Sequence, residues 1–276
     1  DDEINRTAGR RASIDAQIQR RFDTGTVRHR VIVALDHESE RFHARDPGGF
    51  NDQDRSRAHQ ALTGEWRADA GSITADFALR HDRFNRFDDA TTVRASLLAR
   101  LGGGWSVAGS YGEGIAQPTF FDLYGFSPDF FVGNPSLKPE SSRGFEGSVR
   151  YLHGAFGASV TAYRQRLHDE IVETFVFGSG VSSTVNRPKV SERAGFGAEV
   201  KWALADKLRL TATYAYLDAT QPDDFGEQVG EARRPKHSGS IAADGAVGRV
   251  TYGLSLAYSG ARRDTDFEVF PFRAVR

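Results

Sequence analysis

The sequence predicts an all-β chain: an antiparallel meander of about 12 strands that forms part of a transmembrane β-barrel. Periodicity is the first reason. Apolar residues recur at every second position almost throughout, and side chains at i, i+2 and i+4 share one face of a strand. Strand length is the second. Many alternating runs reach ten residues or more, whereas soluble sheets favour ~5–6 and a tilted crossing of a bilayer needs ~9–11. The third is the connections, which alternate between short and long along the chain. Outer-membrane barrels carry short turns at one rim and long loops at the other; a soluble β-sandwich follows no such rule.

Taken in order, strands are expected near residues 10–22, 26–44, 56–69, 71–84, 90–101 and 104–113, then near 142–153, 155–172, 189–204, 206–219, 236–244 and 248–261. In the fourth, Ile73, Ala75, Phe77 and Leu79 alternate with Thr74, Asp76 and Arg80. In the ninth, Phe196, Ala198, Val200, Trp202 and Leu204 oppose Gly197, Glu199 and Lys201. The tenth sets Leu208, Leu210, Ala212, Tyr214 and Tyr216 against Arg209, Thr211 and Thr213, and the twelfth repeats the pattern with Val250, Tyr252, Leu254, Leu256 and Tyr258. Short turns are expected at Asp23-Thr24-Gly25, Asp69-Ala70-Gly71, Gly102-Gly103-Gly104, His153-Gly154, Ala205-Asp206 and Gly245-Ala246-Val247, because Gly and Asp tolerate the dihedrals of a tight hairpin. Long connections fall around 45–55, 114–141, 173–188 and 220–235, with 83–89 shorter. Little or no helix is expected.

Composition removes several classes. The 276 residues hold 36 Lys+Arg against 37 Asp+Glu, a net charge of −1, so nothing electrostatic favours nucleic acid as a partner. Hydrophobic residues make up 39% and charged residues 26%, which is not the composition of a disordered chain. No apolar run approaches the ~18 residues of a membrane helix. There is no Cys, which excludes disulfides, thiolate nucleophiles and zinc ribbons. There is no Met either, and the chain opens on Asp1-Asp2-Glu3-Ile4; residues 1–276 are therefore expected to be one partial barrel domain, truncated at both ends.

The two strand faces call for different solvents. One carries Val, Leu, Ala and Phe in mid-strand and aromatics toward the ends: Trp66, Trp105, Tyr111, Tyr151, Trp202, Tyr216 and Tyr258. Such rings favour the headgroup level of a bilayer. The other carries Arg, Glu, Asp, Ser and Thr, which suits a wet lumen, with charges such as Arg80 and Asp76 or Glu199 and Lys201 pairing across the wall. A large soluble sandwich is the alternative; it would bury the apolar face but would not explain strand length and loop asymmetry together.

The stretch Gly109-Ser110-Tyr111-Gly112-Glu113-Gly114-Ile115-Ala116-Gln117-Pro118-Thr119 continues through Phe121-Asp122-Leu123-Tyr124-Gly125 to Gly133-Asn134-Pro135-Ser136-Leu137-Lys138-Pro139-Glu140-Ser141. It resembles the barrel of the TonB-dependent outer-membrane receptors, in which a Pro-containing loop is followed by a G-N-P-x-L-x-P-E-x-S segment that opens the next strand. Phe145-Glu146-Gly147, Tyr163-Arg164 and Asp169-Glu170-Ile171 fit the same pattern. Tyr214 to Ala219, Arg233-Arg234-Pro235-Lys236 and the ending from Tyr258 through Phe272 are similar to the cobalamin receptor branch, and are shared in part by siderophore receptors.

The resemblance implies a barrel of about twenty-two strands around an N-terminal plug, of which this chain would supply the eighth to the nineteenth, without the plug. It implies a bacterial outer-membrane location, with outer-membrane lipid and lipopolysaccharide around the wall and a TonB energy-coupling complex engaged through the plug. The function implied is energy-driven uptake of a scarce metal chelate, cobalamin first and a ferric siderophore as the alternative. A passive porin is the alternative from another class. No cofactor is implied.

Ligand capture would fall to the outward loops. Phe126, Phe130 and Phe131 in one loop, and Phe175 and Phe177 in another, offer rigid apolar area for a corrin or an aromatic chelate; packing of loop against loop is the other use of such rings. Arg233 and Arg234, with Lys236 and His237, form a basic cluster that would attract an anionic siderophore or lipopolysaccharide phosphate, unless it is a solvated strand end. Pro118, Leu123, Tyr124, Asn134, Pro135, Leu137, Pro139 and Glu140 read as architecture, with each Pro fixing φ and withholding a donor. Asn51, Asp52 and Asp54, Asp223 with Asp224, and Asp264 with Asp266 lack the Gly and distal Glu of a calcium loop and read as turns, so no metal ligands are expected. No catalytic residue is expected: there is no G-x-S-x-G, no H-E-x-x-H and no phosphate loop with Lys, and the eight His are scattered. Cut from a larger barrel, such a sheet should keep unpaired outer strands near 10–22 and 248–261 and aggregate outside membrane or detergent.

Overall fold

Once the alternating runs are paired, they stand side by side in chain order. The computed structural model describes residues 6–45, 52–127, 130–175, 180–223, 226–266 and 273–275. Its elements are β1 (Arg6–Thr24), β2 (Val27–Arg45), β3 (Gln53–Ala70), β4 (Ile73–Phe84), β5 (Ala90–Gly102), β6 (Trp105–Ala116), α1 (Phe120–Tyr124), β7 (Phe126–Ser127), β8 (Phe131–Val132), β9 (Glu140–His153) and β10 (Phe156–His168). They continue with β11 (Ile171–Phe175), β12 (Ser182–Asn186), β13 (Ser191–Ala205), β14 (Leu208–Pro222), β15 (Gln228–Gly230), β16 (His237–Val247), β17 (Val250–Ser259), β18 (Asp264–Asp266) and β19 (Arg273–Val275). One antiparallel sheet runs β1-β2-β3-β4-β5-β6-β9-β10-β13-β14-β16-β17, with β15 paired to the outer end of β14. Among the described residues β1 pairs only with β2 and β17 only with β16, so both rims of the sheet are open edges.

Register keeps like with like. Val160 stands opposite Val149, Val149 opposite Val107, Val107 opposite Ala99 and Ala99 opposite Ile73, a continuous apolar row across five strands. That row has no second layer over it. The buried hydrophobic residues among those described are Ala44, Ala61, Leu123, Phe131, Leu137 and Ala219, and each lies on the opposite face or in the long loops. Large side chains of the apolar face stay open, Leu254 at 74% and Leu256 at 72%. A sandwich core would have covered these positions, so the solvent they meet is a bilayer.

Aromatic rings bracket the apolar row. Toward the short turns Phe22 stacks on His29 at 4.9 Å and His29 on Trp66 at 6.0 Å, while Trp105, Tyr151, Phe156 and Trp202 follow one another at 4.7, 6.1 and 6.0 Å. Toward the long loops Tyr111 meets Phe145 at 4.6 Å and Phe196 meets Tyr214 and Tyr216 at 5.8 and 5.9 Å. Trp105 and Tyr111 are six residues apart, ~20 Å along the strand, or ~15 Å in height at the 35–45° tilt of such barrels, which fits within their ~25 Å apolar band.

The polar face is a wall of charges, paired differently from the expectation in one place. Arg80 reaches Asp36 on β2 at 2.6 Å and its strand neighbour Asp82 at 2.9 Å, whereas Asp76 faces Arg67 at 3.6 Å. Residues four apart on one strand are too distant to pair, while a long Arg spans two strands. Lys201 does meet Glu199, at 2.8 Å on the same strand.

Three local features depart from the sequence reading. The strand expected over 155–172 stops at His168, because Asp169 takes a left-handed φ of 55° and turns the chain into β11 of another sheet. The last short turn is Gly248-Arg249 rather than Gly245-Ala246-Val247: Gly248 has φ 60°, whereas Gly245 lies in β16 opposite Tyr252, whose ring occupies the space a Cβ would need. The connections 114–141 and 173–188 are not bare loops. They hold α1 and a four-stranded sheet β11-β12-β8-β7.

Candidate functional site

The long-loop rim is built outward from the string 116–141. Pro118 ends β6; its side chain is fully buried and its carbonyl accepts from an Nη of Arg57 at 2.6 Å. Thr119 caps α1: its Oγ1 accepts from the Asp122 N–H at 3.0 Å, and its own N–H donates to the Asp122 carboxylate at 2.8 Å. This reciprocal cap satisfies two donors and lets a five-residue helix stand between a Pro and a Gly. Leu123 on that helix is wholly buried, and Leu137 and Phe131 of the same connection are nearly so.

The Gly133-Asn134-Pro135 segment is folded against α1 by its backbone. The Gly133 N–H donates to the Gly125 carbonyl at 2.7 Å and the Asn134 N–H to the Asp122 carbonyl at 2.8 Å. A Cβ on Gly133 would lie 2.6 Å from the Tyr124 nitrogen, so only Gly fits there. The Asn134 side chain donates to the Thr184 carbonyl at 2.9 Å, and its Oδ1 accepts from the Ser136 N–H at 2.9 Å. The Lys138 N–H donates to Asn186 at 2.8 Å, and a Glu140 carboxylate oxygen accepts the Ile171 N–H at 2.6 Å. Pro139 lies just before β9. These contacts tie the 114–141 connection to the 169–186 connection.

The tie matters for the aromatic candidates, which the sequence places in separate loops. Phe175 pairs in register with Ser182, Ser182 with Phe131, and Phe131 with Ser127, so one small sheet carries both loops. Phe130 projects from it 72% exposed and Phe175 63% exposed, while Phe126 is half-buried. Phe131 is turned inward, 7% exposed and stacked on Phe121 at 4.5 Å. Phe177 lies outside the described residues, as do Asn51, Asp224 and Phe267 through Phe272.

The basic candidates are neutralised by neighbours. Arg233, at φ 61°, bonds Asp264 at 2.9 Å; Arg234 faces Glu231 at 3.5 Å; Lys236 bonds Asp218 at 2.7 Å. The Asp218 carboxylate holds the Lys236 ammonium above its ordinary pKa. His43 and Arg45 both bond Asp54, and the hydrogen bond from Arg45, then that from His43, keeps this carboxyl below the usual carboxylate range. Among the described residues no three acidic or His side chains converge as a metal site.

A different cluster, which sequence reasoning missed, sits at the outer end of the lumen face. Arg55 lies over the Tyr124 ring at 4.5 Å and Arg86 at 5.0 Å, while Arg57 lies over Phe120 at 4.7 Å and Phe42 stacks on Phe120 at 5.5 Å. Arg57 is satisfied by Glu40, but Arg55 and Arg86 have no carboxylate partner among the described residues; they bond Gln53 and the Pro135 carbonyl. Helix α1 thus hangs into the mouth of the lumen and presents Tyr124 to two guanidinium groups. Alternation in Arg55-Ser56-Arg57 marks both arginines as polar-face, but their ring partners come from sixty residues downstream and leave no local trace.

Farther along the same sheet, on β13, is a largely buried ionic knot. Ser191, fully buried, donates to Glu170 at 2.6 Å; Arg193 reaches Glu170 at 3.4 Å and Glu231 at 2.7 Å. It fastens β13 to the loops on either side. Among the described residues these contacts hold the rim loops against the wall.

A one-layer wall, apolar outside and charged inside, with braced loops at a single rim, is that of an outer-membrane β-barrel. The chain belongs to the family described as TonB dependent receptor-like, beta-barrel, which matches residues 2–271. This is a family of transport receptors of the outer membrane. Among solved structures it is similar to a ferric enterobactin receptor of Pseudomonas aeruginosa in complex with enterobactin, with a TM-score of 0.79 and 14% identity over 93% of this chain and 42% of that one. It is similar to the siderophore receptor PirA of Acinetobacter baumannii (TM-score 0.70, 17% identity, 91% of this chain and 42% of that one). It is also similar to the Serratia marcescens hemophore receptor HasR (TM-score 0.73, 14% identity, 98% of this chain and 53% of that one). The chain thus spans about half or less of the length of these receptors, and at such identities the likeness is one of fold. None of the three is a cobalamin receptor, so the comparisons lend the cobalamin branch no support.

Proposed function

We propose that this chain is the ligand-catching part of the wall of a bacterial outer-membrane receptor for energy-coupled uptake of a ferric siderophore. The observation that carries the reading is that Arg55 and Arg86 both lie over the Tyr124 ring at the mouth of the lumen, without a carboxylate partner among the described residues. Two guanidinium groups at an aromatic ring suit a ligand that is both anionic and planar, which describes a catecholate iron chelate; cobalamin is close to neutral and would gain little from them. Phe130 and Phe175 supply exposed ring area on the same braced loops. Phe126, Phe177, Arg233 and Arg234 remain secondary candidates for contact, with Phe131 as support beneath Phe130. Passage past a plug and coupling to TonB belong to the same proposal, with outer-membrane lipid surrounding the barrel.

The test is binding to the receptor that carries this chain, using ferric enterobactin and cyanocobalamin as probes. Ferric enterobactin should bind with strong salt dependence, and R55Q/R86Q should weaken it by about tenfold or more, since each charge-assisted contact is worth ~1.5–3 kcal/mol. Tighter binding of cyanocobalamin, or no loss in the double variant, would refute the siderophore reading.

A further inference from the structure

Strands β5 and β6 separate before either of them ends. Their ladder runs from the pair Gly102 and Trp105, at the short-turn rim, to the pair Arg94 and Gly112, and stops there. Above it β5 continues to Ala90, still paired on its other side with β4 as far as Asp82. Likewise β6 continues to Ala116, still paired with β9 as far as Glu140. Residues 90–93 and 113–116 therefore face each other across a fork ~13 Å deep. Elsewhere in this sheet, among the described residues, neighbouring strands stay paired to within one residue of an end.

A side chain holds the gap. Glu113 is in phase with Trp105, Val107 and Tyr111, which puts it on the lipid-side face just above the outer girdle. One of its carboxylate oxygens accepts the Val93 N–H at 3.0 Å, and the other accepts the Tyr111 hydroxyl. In a closed ladder that N–H would meet a backbone carbonyl of β6. A ladder holds strands ~4.8 Å apart, and a carboxylate standing in for the carbonyl keeps them wider. A groove of about 440 Å³ lies over the fork, lined on its two sides by Ala90, Thr91 and Thr92 and by Glu113, Gly114 and Ile115.

The chain that leaves β6 is fastened to strands three and four places away. The Pro118 carbonyl is held by Arg57 and the Tyr124 carbonyl by Gln53 at 2.7 Å, both on β3, and the Phe120 ring stacks on Phe42 of β2. To reach them, residues 117–124 cross the lumen mouth past β5 and β4, so the tip of β6 has to leave the wall. With 113–116 zipped onto 90–93 the tip would stay in the wall, and α1 with it. We propose that Glu113 is a positioning residue for the capture surface: as a wedge between β5 and β6, it keeps α1 across the mouth and Tyr124 at Arg55 and Arg86. Glu113 faces away from the lumen and acts through α1, not on the ligand. The proposal rests on the reading of the Tyr124 cluster as the place where the chelate is caught.

The receptor carrying this chain would be compared with E113T, E113V and E113Q, each checked for folding by heat-modifiable electrophoretic mobility. Thr and Val remove the acceptor and favour strand, so either should close the fork, whereas Gln keeps an acceptor for the Val93 N–H. The Thr91 N–H points the same way as that of Val93. In E113T and E113V its exchange should slow about tenfold or more as it gains a backbone partner; simple loss of structure would speed it instead. Spin labels replacing Ser56 on β3 and Phe121 on α1, in a chain with no Cys of its own, should move apart by a strand spacing, ~5 Å. Ferric enterobactin should bind at least about tenfold more weakly, because the ring and the guanidinium groups no longer meet. E113Q should restore all three readouts. Unchanged or faster exchange at Thr91, an unchanged distance between the labels, or undiminished affinity in both E113T and E113V would each overturn the proposal. A wild type that binds no ferric enterobactin refutes the siderophore reading alone; exchange and distance then decide the role of Glu113.

Discussion

Leu123→Ala tests whether the 114–141 connection is a packed structure. Leu123 is wholly buried in a loop whose backbone is closed by the Gly133 and Asn134 amides on α1. Removing about three methylene equivalents costs ~2.4 kcal/mol at ~0.8 kcal/mol each, and the cavity left behind raises this to about 3 kcal/mol. The long strands are untouched, so the loss falls on local opening of the loop and not on the barrel. At 1.4 kcal/mol per tenfold, the open population rises ~100-fold. Amide hydrogen exchange should therefore speed up by about that factor at Gly133 and Asn134, with Val160 in β10 unchanged. Unaltered exchange at both loop amides would refute the idea that Leu123 anchors this rim.

Two further outcomes follow from the same geometry. Val149 is 43% exposed, so in water Val149→Arg would be nearly neutral; against lipid it should destabilise the barrel by about 2–4 kcal/mol, while Ser148→Arg on the lumen face should not, as measured by reversible unfolding in lipid. The Asp54 carboxyl, depressed by Arg45 and His43, should titrate by NMR below the ordinary carboxylate value of 3.8. Because its folded pKa is depressed, the contacts it makes are fully present above the unfolded value and are lost as pH falls through the folded one. A midpoint above 4 would contradict that pairing.

The strands are legible because lipid on one side and water on the other enforce period two and because the turns use Gly and Asp. Ile73 to Arg80 and Leu208 to Tyr216 needed no tertiary information. The turn at Gly248 was misplaced because Gly245 also breaks the pattern, and only Tyr252 packed over it reveals a different reason for the missing side chain. Helix α1 was hidden in a stretch of Pro and Gly, where a single turn held by the Thr119 cap has no periodicity to read. The small sheet joining Phe131, Ser182 and Phe175 hangs on one pair, Ser182 with Phe131, across some fifty positions of chain. The candidate site was legible only in kind: exposed loop rings were anticipated, whereas Arg55 and Arg86 gain meaning from Tyr124, and Arg233 and Arg234 lose it to Asp264 and Glu231.

The account depends on the apolar side of β14 facing lipid, and the absence of Cys makes a spin-label scan direct. Single labels at 209 through 214, in the receptor reconstituted in a bilayer, should show oxygen accessibility at Leu210, Ala212 and Tyr214 and accessibility to a water-soluble relaxant at Arg209, Thr211 and Thr213. Labels at the even positions that are shielded from both reagents would mean a protein layer covers that face, and the barrel assignment would fall.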